Sequence, residues 1–408
     1  MVTRAPSTCS NGTGPEATRP ARRAVGSASR LRIAQIAPLS LRIPPLSYGG
    51  TERVVHALTE GLLHRGHDVT LFAAGTSLTS ARLRSATPRP LWEVDEDSHP
   101  EVRARQIADL VAHQHEFDII HSHVDYVSDA DAELEVPTVR TLHGRLDLPR
   151  EKQLLLVVPD QPLVSISNRQ RAPVADLGLN WQATIYHGLR LTTTYRLGEG
   201  DGGYLAFLGR INPEKDPVTA IRVAVTAGLP IKIAARVDPI DREYHRDQVM
   251  PWLDHPLVHW VGEVDDRGKA ELLEHALALL VPIDWEEPFG LVFIESLAAG
   301  TPVISRPRGA LPELVDNGRN GFLAEDEDGL VAACKAVAAL DRRACRAMAL
   351  DRFSVEQMAL RYEEVYTAVL EARADRSSGR SCGSNGTESS RRRQLALSGV
   401  EYGAVTDD

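Results

Sequence analysis

The chain has 408 residues, 43% hydrophobic and 25% charged, the make-up of an ordinary soluble protein of two or three domains. A formal charge of −10 at pH 7 argues against a nucleic-acid binder, and no window nears the ~20 uninterrupted apolar residues of a membrane helix. The first thirty residues lack the ~7–15-residue apolar core of a secretory signal.

Residues 1–30 are rich in Ser, Thr, Gly, Pro, Ala and Arg and read as a disordered leader of net charge +4. Short apolar runs then alternate with amphipathic stretches. Strands are expected over 31–39 and 68–74, with a helix over 51–64 between them that puts Val54, Val55, Leu58, Leu62 and Leu63 on one face. A helix over 101–113 precedes strands over 118–122, 137–142 and 162–167. A polar, Gly-rich stretch at 189–203 interrupts the pattern, which then restarts. The second series has strands over 204–208, 230–235, 258–261, 278–282 and 302–305, and helices over 217–227, 269–275 and 291–299. Helices fill most of 328–372, and 373–408 reads as a disordered tail of net charge +1. The body between the two ends is therefore near −15. This is an α/β pattern of two doubly wound, Rossmann-like parallel-sheet halves, 31–195 and 196–355, facing across a cleft.

Cys9, Cys334, Cys345 and Cys382 form no Cys-x-x-Cys pair. On one continuous helix, Cys334 and Cys345 would stand ~16 Å apart, too far for a disulfide. A reducing, cytoplasmic setting without structural zinc fits.

No Gly-x-Gly-x-x-Gly follows an expected strand, and neither a P-loop nor a Gly-x-Ser-x-Gly elbow is present. Three strand-to-helix loops carry candidate chemistry instead. In residues 47–52, Gly49 and Gly50 bring backbone amides toward a phosphate at a helix N-terminus, or simply make a turn with Thr51 as N-cap. In 207–216, Arg210 and Lys215 offer a fork and a point charge suited to a diphosphate, against a solvated ion pair to Glu214 or Asp216. Only five of the 46 basic residues are Lys, which favours the functional reading of Lys215. In 284–295, Glu287 and Glu295 stand eight apart beside the amides of Phe289, Gly290 and Leu291. They either accept hydrogen bonds from sugar hydroxyls, or complement a helix dipole and a cap.

Histidines complete the set. His121 and His123 alternate along a strand end and share a side, as a metal pair or as residues of a pocket or the core. His143 ends the next strand and points at the cleft, while His187 reads as a loop residue. Asp95-Glu96-Asp97, Asp129-Ala130-Asp131 and Asp326-Glu327-Asp328 fit a metal-binding Asp-x-Asp but read as solvated acidic stretches.

The strings YGGTERVV (48–55), FLGRINPEK (207–215), WEEPFGLVFIES (285–296) and AAGTPVISRPRGALPELV (298–315) resemble glycosyltransferase family 4, of GT-B fold, over about 31–370. The resemblance implies retaining, metal-independent transfer of a hexosyl group from a nucleoside-diphosphate sugar to an acceptor hydroxyl, with no cofactor. Arg210 and Lys215 would hold the diphosphate, Glu295 the ribose, and Glu287 with the 289–291 amides the sugar and phosphate. Gly49 and Gly50 would approach the phosphates and His143 the transferred sugar. The base would lie against Arg236, Gly262 and Val264, mostly through backbone.

The half 31–195 would take the acceptor, a small molecule, lipid or glycan, near loops 76–100 and 146–161, with His121 and His123 as pocket residues. The half 196–355 would take the donor, and a helix over 356–372 would cross back. UDP-sugar leads, with GDP- and ADP-sugar open, and neither nucleic acid nor stable membrane insertion is expected. A nucleotide-sugar epimerase of this fold, or an inactive nucleotide-sugar-binding protein, are the alternatives. Two residues depart from the pattern: Asp216, where Gly is common, and Glu286, where Pro is common.

Overall fold

The computed structural model describes residues 30–124, 133–157 and 160–379. The expected leader up to residue 29, the tail from 380, Cys9, Cys382 and the Asp129–Asp131 string lie outside the described residues.

The first half is a seven-stranded parallel sheet. Its strands are β1 (Arg32–Ile36), β2 (Asp68–Phe72), β3 (Arg82–Arg84), β4 (Ile119–Ser122), β5 (Thr138–Thr141), β6 (Leu163–Ser165) and β7 (Trp181–Thr184), in the order β3-β2-β1-β4-β5-β6-β7. Helices α1 (Gly50–His64), α2 (His99–His113), α3 (Pro149–Val157), α4 (Asn168–Arg171) and α5 (Leu191–Thr194) accompany it. The second half is six-stranded, with β8 (Leu205–Arg210), β9 (Ile231–Arg236), β10 (Val258–Gly262), β11 (Ala278–Leu280), β12 (Val303–Ser305) and β13 (Gly321–Leu323) in the order β10-β9-β8-β11-β12-β13. Its helices are α6 (Pro217–Ala227), α7 (Arg242–Tyr244), α8 (Asp266–His275), α9 (Leu291–Ala298), α10 (Leu311–Leu314), α11 (Glu327–Ala336), α12 (Arg342–Arg352) and α13 (Val355–Gly379).

Both sheets reverse direction beside their first strand, at β1/β4 and at β8/β11. Strands that are covered on both faces read as unbroken apolar runs, and Ile33, Ala34, Leu205, Ala206 and Phe207 are fully buried. The strands absent from the sequence reading, β3, β7 and β13, are sheet edges of three or four residues. Edge strands of this length carry neither a buried run nor a full alternation. Helix α8 starts three residues before its expectation because the Asp265 carboxylate accepts the Gly268 amide at 2.8 Å. Cys334 and Cys345 stand on separate helices, α11 and α12, rather than on one; both are buried free thiols, pushed up to about 12 and about 11 by burial.

The chain passes between the halves twice, and the two passages pair. Leu189 N–H donates to Phe353 O at 3.0 Å, and Val355 N–H donates to Leu189 O at 3.1 Å. From there α13 lies on the first half, where Met358, Ala359, Tyr362 and Tyr366 share one apolar cluster with Ile33, Val54 and Leu58. A Cβ on Gly61 of α1 would come within 2.8 Å of Val355, so glycine sets how closely the two helices approach. Helix α13 continues beyond residue 372 to Gly379, and residues 373–379 thus extend it.

The buried Glu363 carboxylate of α13 is held by the Arg65 fork, at 2.5 and 2.7 Å, and by His67 Nε2 at 2.8 Å. Replacing it with Ala strands two polar groups, one of them buried. Glu363→Ala should therefore cost about 1–3 kcal/mol in urea unfolding. An unchanged midpoint would contradict the anchoring role.

Candidate active site

The β8/β11 switch point gathers the expected donor residues at the carboxyl ends of the strands, where ligands of such sheets bind. Arg210 ends β8 and lies in register with Arg236 at the end of β9. Asp238 sits between them, 3.6 Å from Arg210 and 2.6 Å from Arg236. The Tyr48 ring of the first half lies 6.0 Å from the Arg210 guanidinium and 5.6 Å from that of Arg236. Trp92 lies 5.4 Å from Arg236.

Lys215 pairs with Glu287, and Trp285 Nε1 donates to the same carboxylate oxygen at 3.0 Å. Two loops are stitched together here: Asn212 Oδ1 accepts the Lys215 amide at 3.0 Å, and Asp284 N–H donates to Glu214 O at 2.8 Å. Behind Glu287, a Cβ on Gly309 would fall 2.2 Å from its backbone, so only glycine permits this approach. Ala310 N–H then donates to Glu287 O at 2.8 Å. Helix α9 begins at Leu291, with Gly290 as its N-cap at φ 88° and no side-chain cap. Glu295 lies in the next turn, 5% exposed, and takes Lys269 Nζ at 2.6 Å. Gly262, at φ 81°, ends β10 at a shift in register. Val264 packs against the start of α8.

The first half completes the cleft. Helix α1 starts at Gly50, with Gly49 as its N-cap at φ 142°, so Thr51 is not the cap. A Cβ on Gly50 would stand 3.6 Å from Leu291 of the other half. Ion pairs cross the cleft at Arg53–Asp266 (2.7 Å), Arg145–Glu214 (3.2 Å) and Arg169–Glu286 (2.7 Å). Ser167 Oγ donates to Pro288 O at 2.6 Å. Glu313 accepts from the Asn168 and Arg169 amides at 2.9 and 2.7 Å and from Tyr186 Oη at 2.9 Å. Of these partners the sequence drew notice only to Glu214, as a possible ion-pair partner within its own loop, and to Glu286, as a departure from the family pattern; that they reach the other half was not visible there. A cavity of about 260 Å³ opens among Arg145, Asp147, Arg169, Gln170, Glu286 and Glu287.

Both departures from the family pattern have local causes. Asp216 is the only described non-glycine residue at positive φ, 49°, a backbone that glycine adopts freely. Its carboxylate turns away from Lys215, caps α6 by accepting the Thr219 amide at 3.0 Å, and pairs with Arg306 at 2.9 Å. Glu286 bridges to Arg169 and accepts the Gly309 amide at 3.2 Å.

The histidines correct one expectation. His121 is fully buried and His123 is 3% exposed, so neither lines an open acceptor pocket. They form a ladder instead. His121 binds Tyr366 Oη and Thr141 Oγ1, both at 2.7 Å. His123 Nδ1 lies 3.0 Å from His143 Nε2, and His143 stacks on His187 at 5.2 Å. His187 in turn meets Phe289 edge-on at 4.9 Å, which makes it part of the cleft wall rather than a plain loop residue. Among the described residues no three His, Cys, Asp or Glu are grouped to hold a metal ion, and Asp326 is the N-cap of α11.

Burial holds all four imidazoles neutral: His143 is lowered to about 3, and His121, His123 and His187 fall well below the usual range. The unfolded chain takes up these protons from near pH 6.5, whereas the folded one does not until far lower. Stability from this source is full above ~pH 6.5 and falls as the pH drops, by up to about 1.4 kcal/mol per pH unit for each histidine. The urea midpoint should therefore decline between pH 7 and pH 5. A flat midpoint would show that the ladder is not neutral in the fold.

Comparison with known proteins agrees with this geometry. Residues 203–340 match the family described as Glycosyl transferases group 1, and residues 48–186 match Glycosyltransferase Family 4. The chain is 27% identical over 399 residues to a glycogen synthase of Mycobacterium tuberculosis, covering 82% of this chain and 94% of that one. It is 26% identical over 338 residues to a phosphatidyl-myo-inositol mannosyltransferase of Mycolicibacterium smegmatis, covering 74% and 83%. Among solved structures, sucrose-phosphate synthase of Thermosynechococcus elongatus superposes with TM-score 0.71 at 20% identity, over 84% of this chain and all of that one. Anabaena HepE in complex with UDP-glucose gives TM-score 0.64 at 17% identity, over 83% and 100%. With two facing Rossmann-like sheets and matches in both halves, the chain belongs to the family 4, group 1 glycosyltransferases and has the GT-B fold.

Proposed function

We propose that the protein is a retaining, metal-independent hexosyltransferase that uses a nucleoside-diphosphate sugar, with UDP-sugar as the leading donor. The observation that carries this reading is the convergence of Arg210, Lys215 and Glu287 at the second switch point, with Gly50 of the first half close to Leu291. Two cations at one strand end suit a departing diphosphate, and stabilising charge as it develops is the larger part of such catalysis. Glu287 and His143 supply acceptors for sugar hydroxyls. Glu295 is set for the ribose, while Arg236, Gly262 and Val264 border the base. Because Arg210 and Lys215 can neutralise the leaving group, the reading calls for neither a metal nor a protein nucleophile; the acceptor hydroxyl attacks the face that the nucleotide leaves. The neighbour solved with UDP-glucose supports the choice of uridine, and the acceptor enters from the first half.

Titration calorimetry with UDP, GDP and ADP tests the donor, with UDP expected to bind most tightly. Failure of all three at sub-millimolar levels would remove the basis of the reading. Lys215→Ala should lower kcat by about 10²–10³-fold with the fold intact. Unchanged turnover would remove Lys215 from the diphosphate site. NMR of the product should report retention at the anomeric carbon, and an inverted product would contradict the mechanism.

A further inference from the structure

The donor reading uses one histidine of the ladder, His143, and leaves the rest unexplained. Gln35 of β1 lies at the centre, completely buried. Its Nε2 donates to Tyr366 Oη at 3.3 Å, so its Oε1 faces His123 Nε2 at 2.6 Å. An amide oxygen only accepts, so His123 carries its proton on Nε2 and a lone pair on Nδ1. The 3.0 Å bond from that nitrogen to His143 must then be donated by His143 Nε2–H. His143 Nδ1 is left with a lone pair, and it is buried without a hydrogen-bond partner.

The far end follows the same order. Tyr366 Oη accepts from Gln35 and donates to His121 Nδ1 at 2.7 Å. His121 then donates from Nε2 to Thr141 Oγ1 at 2.7 Å, and Thr141 meets Tyr362 Oη at 2.9 Å. Tyr362 and Tyr366 both belong to α13, so the crossing helix takes part in the ladder.

A neutral imidazole has two tautomers, and its second nitrogen's partner decides between them. We propose that Gln35 and His123 are positioning residues that fix His143 as the Nε2–H tautomer, so that Nδ1 offers a lone pair to a hydroxyl of the bound sugar. This rests on the reading of His143 as a donor contact. Rotating the Gln35 amide would reverse every bond of the ladder and leave an N–H at His143 Nδ1, a donor where the proposal requires an acceptor.

NMR of ¹⁵N-histidine in the full chain distinguishes the two orders without reference to activity. The His143 signals are assigned by their loss in His143→Gln. At pH 7 the wild type should show His143 protonated on Nε2 alone, and Gln35→Leu should show both tautomers. Kinetically, Gln35→Leu and His123→Leu should each lower kcat/KM for the sugar donor by about tenfold, the worth of one hydrogen bond. His123→Asn keeps an acceptor near the place of Nδ1 and should restore most of the loss, which a packing role would not predict. Should Gln35→Leu fail to fold, the two His123 variants carry the same comparison. A proton on His143 Nδ1, or a His143 spectrum indifferent to Gln35→Leu and His123→Leu, overturns the proposal. The expected spectra in a protein that transfers no sugar would uphold the positioning and count against the transferase reading.

Discussion

Every cation of the donor site described above is paired with a carboxylate, and the shape of the cleft depends on that pairing. Lys215 has Glu287, Lys269 has Glu295, Arg236 has Asp238, and Arg53 has Asp266. In a body of net charge near −15, unpaired cations would be drawn to whichever carboxylate lies nearest. Here Asp238 follows β9, Asp266 opens α8, Glu287 lies on the loop after β11 and Glu295 lies in α9. Glu287 and Glu295 are buried, where desolvation offsets much of the Coulomb attraction. On the proposed function, a diphosphate would bring two charges to a site where its competitors are single carboxylates.

The same logic governs the join between the halves. Arg53, Arg145 and Arg169 reach from the first half to acids of the second, and Glu313 gathers four donors from the start of α4 and from Tyr186. Several of these acids belong to loops that also carry donor residues: Glu214 adjoins Lys215, and Glu286 adjoins Glu287. Contacts between the halves and the Lys215–Glu287 pair therefore fall on neighbouring residues, on one loop after β8 and another after β11. Asp216 shows how such a loop absorbs a departure from the family pattern. It adopts the glycine-like backbone, and Arg306 draws its carboxylate away from the site.

Much of this was legible in the sequence. The buried runs of β8 and β11 are apolar throughout, and the scarcity of lysine singled out Lys215. The fold and family therefore followed from local signals. The short edge strands β3, β7 and β13 did not, because an edge of three or four residues leaves no periodicity. The histidines show the limit most clearly. Alternation along β4 put His121 and His123 on one side, but which side faces the core depends on what covers the sheet. The covering residue is Tyr366, 245 positions from His121. Partners of that kind, like Gly309 behind Glu287 or Arg306 beside Asp216, are properties of the folded chain and leave no spacing to read.

The proposed function implies that a bound diphosphate would take Lys215 from Glu287, its partner in the structure. Titration of UDP into Glu287→Gln tests this directly. Removing the carboxylate frees the lysine for the diphosphate while depriving the sugar of a hydrogen-bond acceptor. The account predicts that UDP binds more tightly to the variant than to the wild type even as sugar transfer falls. If UDP affinity falls together with transfer, Glu287 is not the competitor for Lys215, and the account of a site held by exchangeable ion pairs is wrong.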